Sequence, residues 1–534
     1  MTREYRQMTR RQLLQATGLA SAGLALGSIG ISQAAAAQGA AATPVAGGTL
    51  NYAEAGDFQD FNPWSFAATD NSVYNQVYSR LFWKDGDGKV HADLAESWEA
   101  SEDGLTFTVK LRQGAKWQDG TPVTAKDFVT MYGYLQDDAL VKASAAVQKV
   151  KNLFVPITGM EAQDDLTLVM TSKEPVPYIT DIIDYWFLIR IDKPENATLT
   201  NPLPIATGPF KLTEWKQNQY VRLEKNADYY NQDLPYLDEI MFARLQRAET
   251  LVPNLQSGET QGIFVGSLSD VKTLQDDDKV RVDINESAGS IFNIIVNVQK
   301  PPLDKQEVRQ ALAYSLDRES MTKSAFFGVS TPISTAFYSP ATIAYVPDLV
   351  NFYAFDLDKS KSMLEAAGVS NLELTIVVTP AWPQMKLFSL IWQADLAKIG
   401  VKLNLKEVES AQFYDISSDG KLQGNDLEAW LNGRTTRDPA IFWNTQYNYR
   451  GGDTNRYGYV NEEMEKLVAE GAVETDPEKR KQIYQQLNKI STEACNMIAV
   501  ATNPRIWAFD KNVEGVHYDL NGNVWFDKTF LNKS

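Results

Sequence analysis

The sequence predicts an α/β protein built from more than one domain, and three observations carry that expectation. The chain has 534 residues, and the roughly 490 that follow its leader exceed what one hydrophobic core usually serves, so two or three domains are expected. Leu105-Thr106-Phe107-Thr108-Val109-Lys110-Leu111 alternates apolar and polar residues, the period of a half-buried strand. Strand-like and helical stretches then alternate along most of the chain, which is the order of α/β layers.

Taken in order, Gly48–Ala55 reads as a strand, the turn-rich Gly56–Pro63 follows, and Ser72–Phe82 has helical spacing. Asp103-Gly104 and Asp119-Gly120-Thr121-Pro122 are turn signals that bracket the alternating strand. Helices are expected over Ala125–Leu135 and about Asp137–Val150, with a strand at Leu166–Ser172. The proline-containing Lys193–Pro209 leads to strands at Pro209–Trp215, Tyr220–Lys225 and Glu239–Arg244. From Ile291–Asn297 onward a second alternating region begins. It holds helices Lys305–Leu316, Asp358–Ala367 and Lys386–Ile399, with strands Leu372–Thr379 and Lys402–Glu407 among them. Helix Asn461–Glu470 precedes helix Pro477–Ala494, for which Asp476 supplies an N-cap and Pro477 a first-turn proline. Cys495 falls in an apolar stretch, Ile490–Val500, that reads as helical, and is expected to be a buried small hydrophobe.

The first 47 residues read as an address rather than as fold. Arg10-Arg11 precede Leu13-Leu14, and Gly18–Ile31 is a weakly hydrophobic Gly/Ala/Leu run, together the pattern of a twin-arginine export signal. Cleavage options lie in Ala34–Ala37, and the stretch to Gly47 reads as a tether. No cysteine occurs before Cys495, so a lipid anchor is not expected. The mature protein is expected in the periplasm or at the extracytoplasmic face, exported folded.

Charge and composition exclude several classes. Lys+Arg number 51 against 68 Asp+Glu, a balance that argues against nucleic acid and anionic membrane as partners. One cysteine allows no internal disulfide. Only two histidines occur, His91 and His517, and neither has a cysteine or carboxylate at metal-ligand spacing. No G-x-S-x-G, G-x-x-x-x-G-K-[ST] or G-x-G-x-x-G is present. No catalytic residue, metal or cofactor is expected. Paired carboxylates of a glycosidase are not singled out among so many acids, so an exported hydrolase stays as the alternative of another class.

The wording of Leu94–Phe128, LAESWEASEDGLTFTVKLRQGAKWQDGTPVTAKDF, goes beyond its pattern. It resembles the signature of the family 5 extracellular solute-binding proteins, the peptide- and nickel-type receptors of bacterial ABC importers. Ala206–Trp215, Leu223–Tyr230, Ala248–Gly262, Lys300–Glu319, Leu364–Gly368, Ala397–Val401 and Asp438-Pro439 follow in the order of that family, covering about residues 48 to 518. The resemblance implies a two-lobed periplasmic binding protein fold with a hinge and an additional domain inserted in the first lobe. On it, residues 48–82, 201–288 and 509–534 form the first lobe, 83–200 the inserted domain and 289–508 the second lobe, with connecting strands near Asp283–Ser290 and Arg505–Asn512. It implies a monomer that carries a peptide or oligosaccharide solute to an ABC permease and its ATPase.

Aromatic residues supply the candidate ligand contacts. Of 12 tryptophans, Trp98, Trp117 and Trp215 fall in family-shared segments and are expected to be scaffold. Trp382 stands in a proline-bound loop directly after a strand, where open α/β lobes place ligands; Trp430 and Trp443 bracket Asp438-Pro439, and Asn62 and Trp64 share an early loop. In peptide-binding members an aspartate a few residues ahead of Asp-Pro receives the α-ammonium group, and Arg434 or Thr435 replaces it here. An arginine there would repel ammonium and suit a carboxylate, phosphate or sugar hydroxyl, which keeps an oligosaccharide receptor as the runner-up. The expected ligand-binding set is therefore Asn62, Trp64, Trp382, Trp430, Asn432, Arg434, Thr435, Asp438 and Trp443.

Overall fold

The computed structural model describes residues 43–65, 71–286, 290–416, 422–433, 437–445 and 458–532, without the side chains of 414, 444 and 445. The export signal lies outside the described residues. Residues 44–534 form one compact unit, and three sheets organise it.

The first sheet runs in the order Val280–Asn285, Arg505–Asp510, Gly262–Phe264, Thr49–Ala55, Glu239–Leu245, Tyr220–Lys225 and Phe210–Lys216. Thr49–Ala55 pairs in parallel with both its neighbours, in register Thr49↔Glu239 and Tyr52↔Gly262. Between that strand and Phe210–Lys216 the chain builds a separate antiparallel sheet, ordered Ala95–Ala100, Thr106–Leu111, Thr167–Ser172 and Ile157–Asp164. Its second strand buries Phe107, Val109 and Leu111 and exposes Lys110, as its alternation requires.

The second large sheet is ordered Lys402–Glu407, Glu373–Val378, Leu427–Asn432, Ile291–Val296 and Met497–Thr502. Helices cover it, and Phe326 and Phe388 pack on Phe292 at ring separations of 5.1 and 6.5 Å. The chain leaves the first sheet after Asn285 and enters this one at Ile291, and it returns between Thr502 and Arg505. Beside these passages Val280–Asn285 and Arg505–Asp510 are antiparallel neighbours, in register Asn285↔Arg505. The two crossings touch where Asn503 N–H donates to Ser290 O at 2.9 Å.

Three expectations are corrected by the structure, and one strand is found where none was expected. The helix expected over Ser72–Phe82 is Asn71–Val77, and Phe82 opens a strand. Gly208 ends that helix by donating its N–H to Val77 O at 2.8 Å. A Cβ on Gly208 would lie 2.5 Å from Val77 C and O, so only glycine permits the approach. The single helix expected over Asp137–Val150 is two, Asp138–Ala143 and Ala145–Leu153, because Ser144 adopts extended backbone and its hydroxyl accepts from Val147 N–H at 3.4 Å as an N-cap. Ile490–Val500 is not continuously helical. The helix stops at Ala494, Cys495 turns left-handed at φ 48, and strand Met497–Thr502 follows. Leu427–Asn432, not marked as a strand by its pattern, is a central one. Cys495 itself is buried, and burial pushes its thiol up to about 12, which makes it inert at neutral pH.

The C-terminal segment returns to the first sheet's side of the molecule. Phe526 N–H donates to Gln76 Oε1 at 2.9 Å and Gln76 Nε2 donates to Val524 O at 3.0 Å. That exchange pins the end of the chain to helix Asn71–Val77.

Candidate functional site: the charged contact between the lobes

Side chains from four separate parts of the sequence, around residues 80–84, 181–185, 437 and 519–521, meet where the second sheet's loops reach the rest of the molecule. Arg437 leaves the segment after strand Leu427–Asn432 and is fully buried. Its Nη2 lies 2.5 Å from Asp184 Oδ2 and its Nη1 3.9 Å from Asp181 Oδ1. Its Nε donates to Asn521 Oδ1 at 3.0 Å, and its guanidinium carbon stands 3.9 Å from the centre of the Tyr185 ring. Asp184 also faces Arg80, whose Nη1 lies 3.4 Å from Asp184 Oδ1 and donates to the Asp184 carbonyl at 2.7 Å. Arg80 Nη2 in turn is 3.5 Å from Asp519 Oδ2, and Lys84 pairs with Asp181.

Beside this cluster Arg480 holds Asp438 with both ends of its fork, at 2.6 and 2.7 Å, the planar two-bond geometry that makes arginine–carboxylate pairs strong. Asp438 N–H donates to Asp181 Oδ1 at 3.3 Å. Burial works to raise the Asp184 carboxyl, but the charges of Arg437, Arg80 and Lys84 hold it below the usual aspartate range. Charges taken this far out of water are tolerated only when paired. The arrangement therefore ties the loop after Leu427–Asn432 to helix Ile179–Ile183 and to the C-terminal turn through ion contacts that exclude water.

A crevice of about 690 Å³ opens beside the cluster, lined by Val155, Pro156, Val176 and Tyr178 on one side and by Ile441 and Ala472 on the other. A cavity of about 580 Å³ lies elsewhere, around Asp93, Arg112, Tyr230 and Trp525. The two histidines flank that second region: His91 stacks on Trp83 at 4.5 Å and bonds Asp85 at 2.6 Å, while His517 stands 5.8 Å from Trp525. Among the described residues no group of His, Cys, Asp and Glu side chains is arranged to hold a metal ion.

The structure places the expected ligand residues unevenly. Trp64 is fully buried and its Nε1 donates to Phe187 O at 3.1 Å, while Asn62 donates to Ala197 O at 2.6 Å and accepts from Trp64 N–H at 3.0 Å. Trp443 is stacked between Phe337 and Tyr484, at 4.5 and 5.9 Å. Trp430 stacks on Phe413 at 5.4 Å, and Asn432 is buried at the end of the same strand. Asp438 has both carboxylate oxygens on Arg480. Trp382, half-buried at the start of helix Pro383–Lys398, meets Phe292 edge-on at 6.4 Å. Arg434 and Thr435 lie outside the described residues.

Trp382 and Trp430 serve opposite faces of one sheet. Trp430 is the register partner of Asn293, whereas Trp382 touches Phe292, which points the other way. The tryptophans of the family-shared segments pack as scaffold: Trp98 on Phe82 at 4.9 Å, Trp215 on Phe61 at 5.3 Å, and Trp117 under Arg190 at 3.9 Å. Sequence reasoning missed Arg80, Asp181, Asp184, Arg437 and Arg480. The one available signal was Arg437 itself, a charge directly preceding the Asp-Pro pair.

Sheets joined by two short passages and closed by buried ion contacts define a two-lobed binding protein. Residues 89–455 match the description "Bacterial extracellular solute-binding proteins, family 5 Middle", and the chain belongs to that family. It is similar to the oligopeptide-binding protein OppA of Bacillus subtilis (strain 168), 26% identical over 501 residues that cover 87% of this chain and 89% of that protein. The glutathione-binding protein GsiB of Escherichia coli (strain K12) is 26% identical over 476 residues, covering 87% and 90%. Among solved structures, HbpA2 from Haemophilus parasuis superposes with a TM-score of 0.79 at 28% identity, covering 91% of this chain and 100% of that one. These relatives are binding proteins rather than enzymes, and family members are extracytoplasmic. No described helix is long and apolar enough to cross a membrane.

Proposed function

We propose that the protein is the receptor of an ABC importer that captures peptides between its lobes and delivers them to a membrane permease and its ATPase. The observation that carries this reading is the pair of short passages between the sheets together with family membership, because lobes joined only there can close on a solute as a hinge. Relatives named for oligopeptides and for glutathione support a peptide-type solute. In this reading residues 48–82, 201–288 and 509–534 form the first lobe, 83–200 an inserted domain and 289–508 the second lobe, and the protein works as a monomer.

Of the expected ligand residues, Trp382 is the one whose ring retains exposure, and it is proposed as the stacking surface. The 434–435 segment is proposed to read the solute's end group. Calorimetric titration with di- to pentapeptides tests both proposals. Wild type is expected to bind at least one peptide class saturably, and Trp382→Ala to weaken it by about 1–3 kcal/mol, the usual size of an aromatic anchor's contribution. Saturable binding of oligosaccharides with none of peptides would replace the peptide reading by the saccharide one. Turnover of either would point to a hydrolase.

Export by the twin-arginine route is proposed from Arg10-Arg11. Changing both to lysine is expected to leave the protein in the cytoplasm on cell fractionation. Undiminished export of the double variant would refute the route while leaving the receptor reading intact.

A further inference from the structure

We propose that Asp181 and Asp184, with the ring of Tyr185 and the carboxamide of Asn521, form a subsite for a guanidinium group, which in this structure is filled by the protein's own Arg437. The occupant displays the chemistry of the site. Carboxylates of Asp184 and Asp181 lie 2.5 and 3.9 Å from its terminal nitrogens, an amide oxygen accepts from its Nε at 3.0 Å, and an aromatic face lies 3.9 Å from its guanidinium carbon. That combination of carboxylate, planar acceptor and ring is the environment in which a guanidinium is held better than an ammonium, being flatter and more weakly hydrated.

Arg437 belongs to the loop that follows a strand of the second sheet, whereas Asp181, Asp184, Tyr185 and Asn521 come from the other side of the contact. Any opening of the lobes therefore withdraws the arginine and leaves the rest in place. What remains has lost one positive charge: Asp184 keeps Arg80 and Asp181 keeps Lys84, while Asp519 faces both Arg80 and Arg505. Both carboxylates that Arg437 touched lose that cation, and the place of its planar fork beside the Tyr185 ring stands open. A planar cation entering from solution restores the contacts that Arg437 made. A solute with an arginine side chain or similar group fits that vacancy, and it competes with Arg437 for the same carboxylates. The solute role rests on the receptor reading; the subsite itself does not.

The test is chemical rescue. Arg437→Ala is expected to melt at lower temperature and to scatter with a larger radius of gyration than wild type. Millimolar ethylguanidinium is expected to reverse both changes saturably. Ethylammonium should act about tenfold more weakly, a difference that corresponds to 1.4 kcal/mol. Wild type, with the site filled, is expected not to respond, and neither is Arg437→Ala combined with Asp184→Asn. Should the alanine variant not fold unaided, Arg437→Gln carries the same measurements, and the yield of folded protein with and without ethylguanidinium serves as the readout for both. An absent response, or an equal one in the double variant, overturns the subsite. If peptides still close the lobes in that event, the receptor reading stands without it.

Discussion

Asp184→Asn is expected to destabilise the protein by about 3–5 kcal/mol, the cost of breaking a buried ion pair by removing one partner. Two guanidinium groups, Arg80 and Arg437, lose their shared carboxylate at once, and both are essentially out of reach of water. The substitution keeps the size of the side chain, so the loss reflects charge rather than a cavity. The sign of the pH dependence follows from the depressed carboxyl. A group whose folded value lies below its ordinary 3.8 binds fewer protons folded than unfolded. Its stabilisation is thus fully present above that ordinary value and is lost as pH falls through the lower, folded one. Denaturation midpoints of wild type and variant are expected to differ most at neutral pH and to converge in acid. A difference below about 1 kcal/mol at neutral pH, the size of an exposed pair, would show that these charges do not hold the contact closed.

Asp438→Ala is expected to cost about the same, 3–5 kcal/mol, because it leaves Arg480 buried without its carboxylate. Arg480 keeps two other bonds, from Nε to Gly471 O at 2.8 Å and from Nη2 to the Tyr484 hydroxyl at 3.5 Å, which orient it without neutralising it. Removing both partners together should recover part of the loss, since the penalty of the single variant is largely the stranded charge. Chemical denaturation of the two single variants and the double variant measures that coupling. Solute affinity is expected to change little, as both oxygens of Asp438 are occupied by Arg480. Unchanged stability with lost binding would instead make Asp438 a ligand group.

Period and capping carried much of the fold. Tyr220–Lys225, Lys402–Glu407 and helix Pro477–Ala494 run as the sequence predicts to the residue, because each has an unambiguous local signal: alternation for the first, position between helices for the second, an Asp-Pro cap for the third. Strands Leu427–Asn432 and Met497–Thr502 gave no such signal. Both are buried along nearly their whole length, so their side chains do not alternate between core and water, and periodicity cannot separate a buried strand from a buried helix. The break at Ser144 is a matter of one N-cap that a helical pattern conceals.

The site was less legible for a related reason. Trp64, Trp382, Trp430 and Trp443 stand in loops or near turns where aromatic residues often meet ligands, yet three of the four find their partners inside the protein. Trp64 bonds a carbonyl 123 residues away, and Trp443 stacks on rings from two other segments. Nothing local announces such contacts. The ion cluster is still harder to see, because residues 80, 181, 184, 437 and 519 come from distant parts of the chain, and a charged residue is normally read as surface. Only tertiary structure shows that Arg437 is enclosed.

Mass spectrometry of the solute released on denaturing the exported, natively purified protein tests the central claim most directly, since a closed two-lobed receptor retains what it binds. Peptide masses at about one solute per protein are expected, with retention reduced in Trp382→Ala. A ladder of hexose masses in place of peptides would contradict that claim.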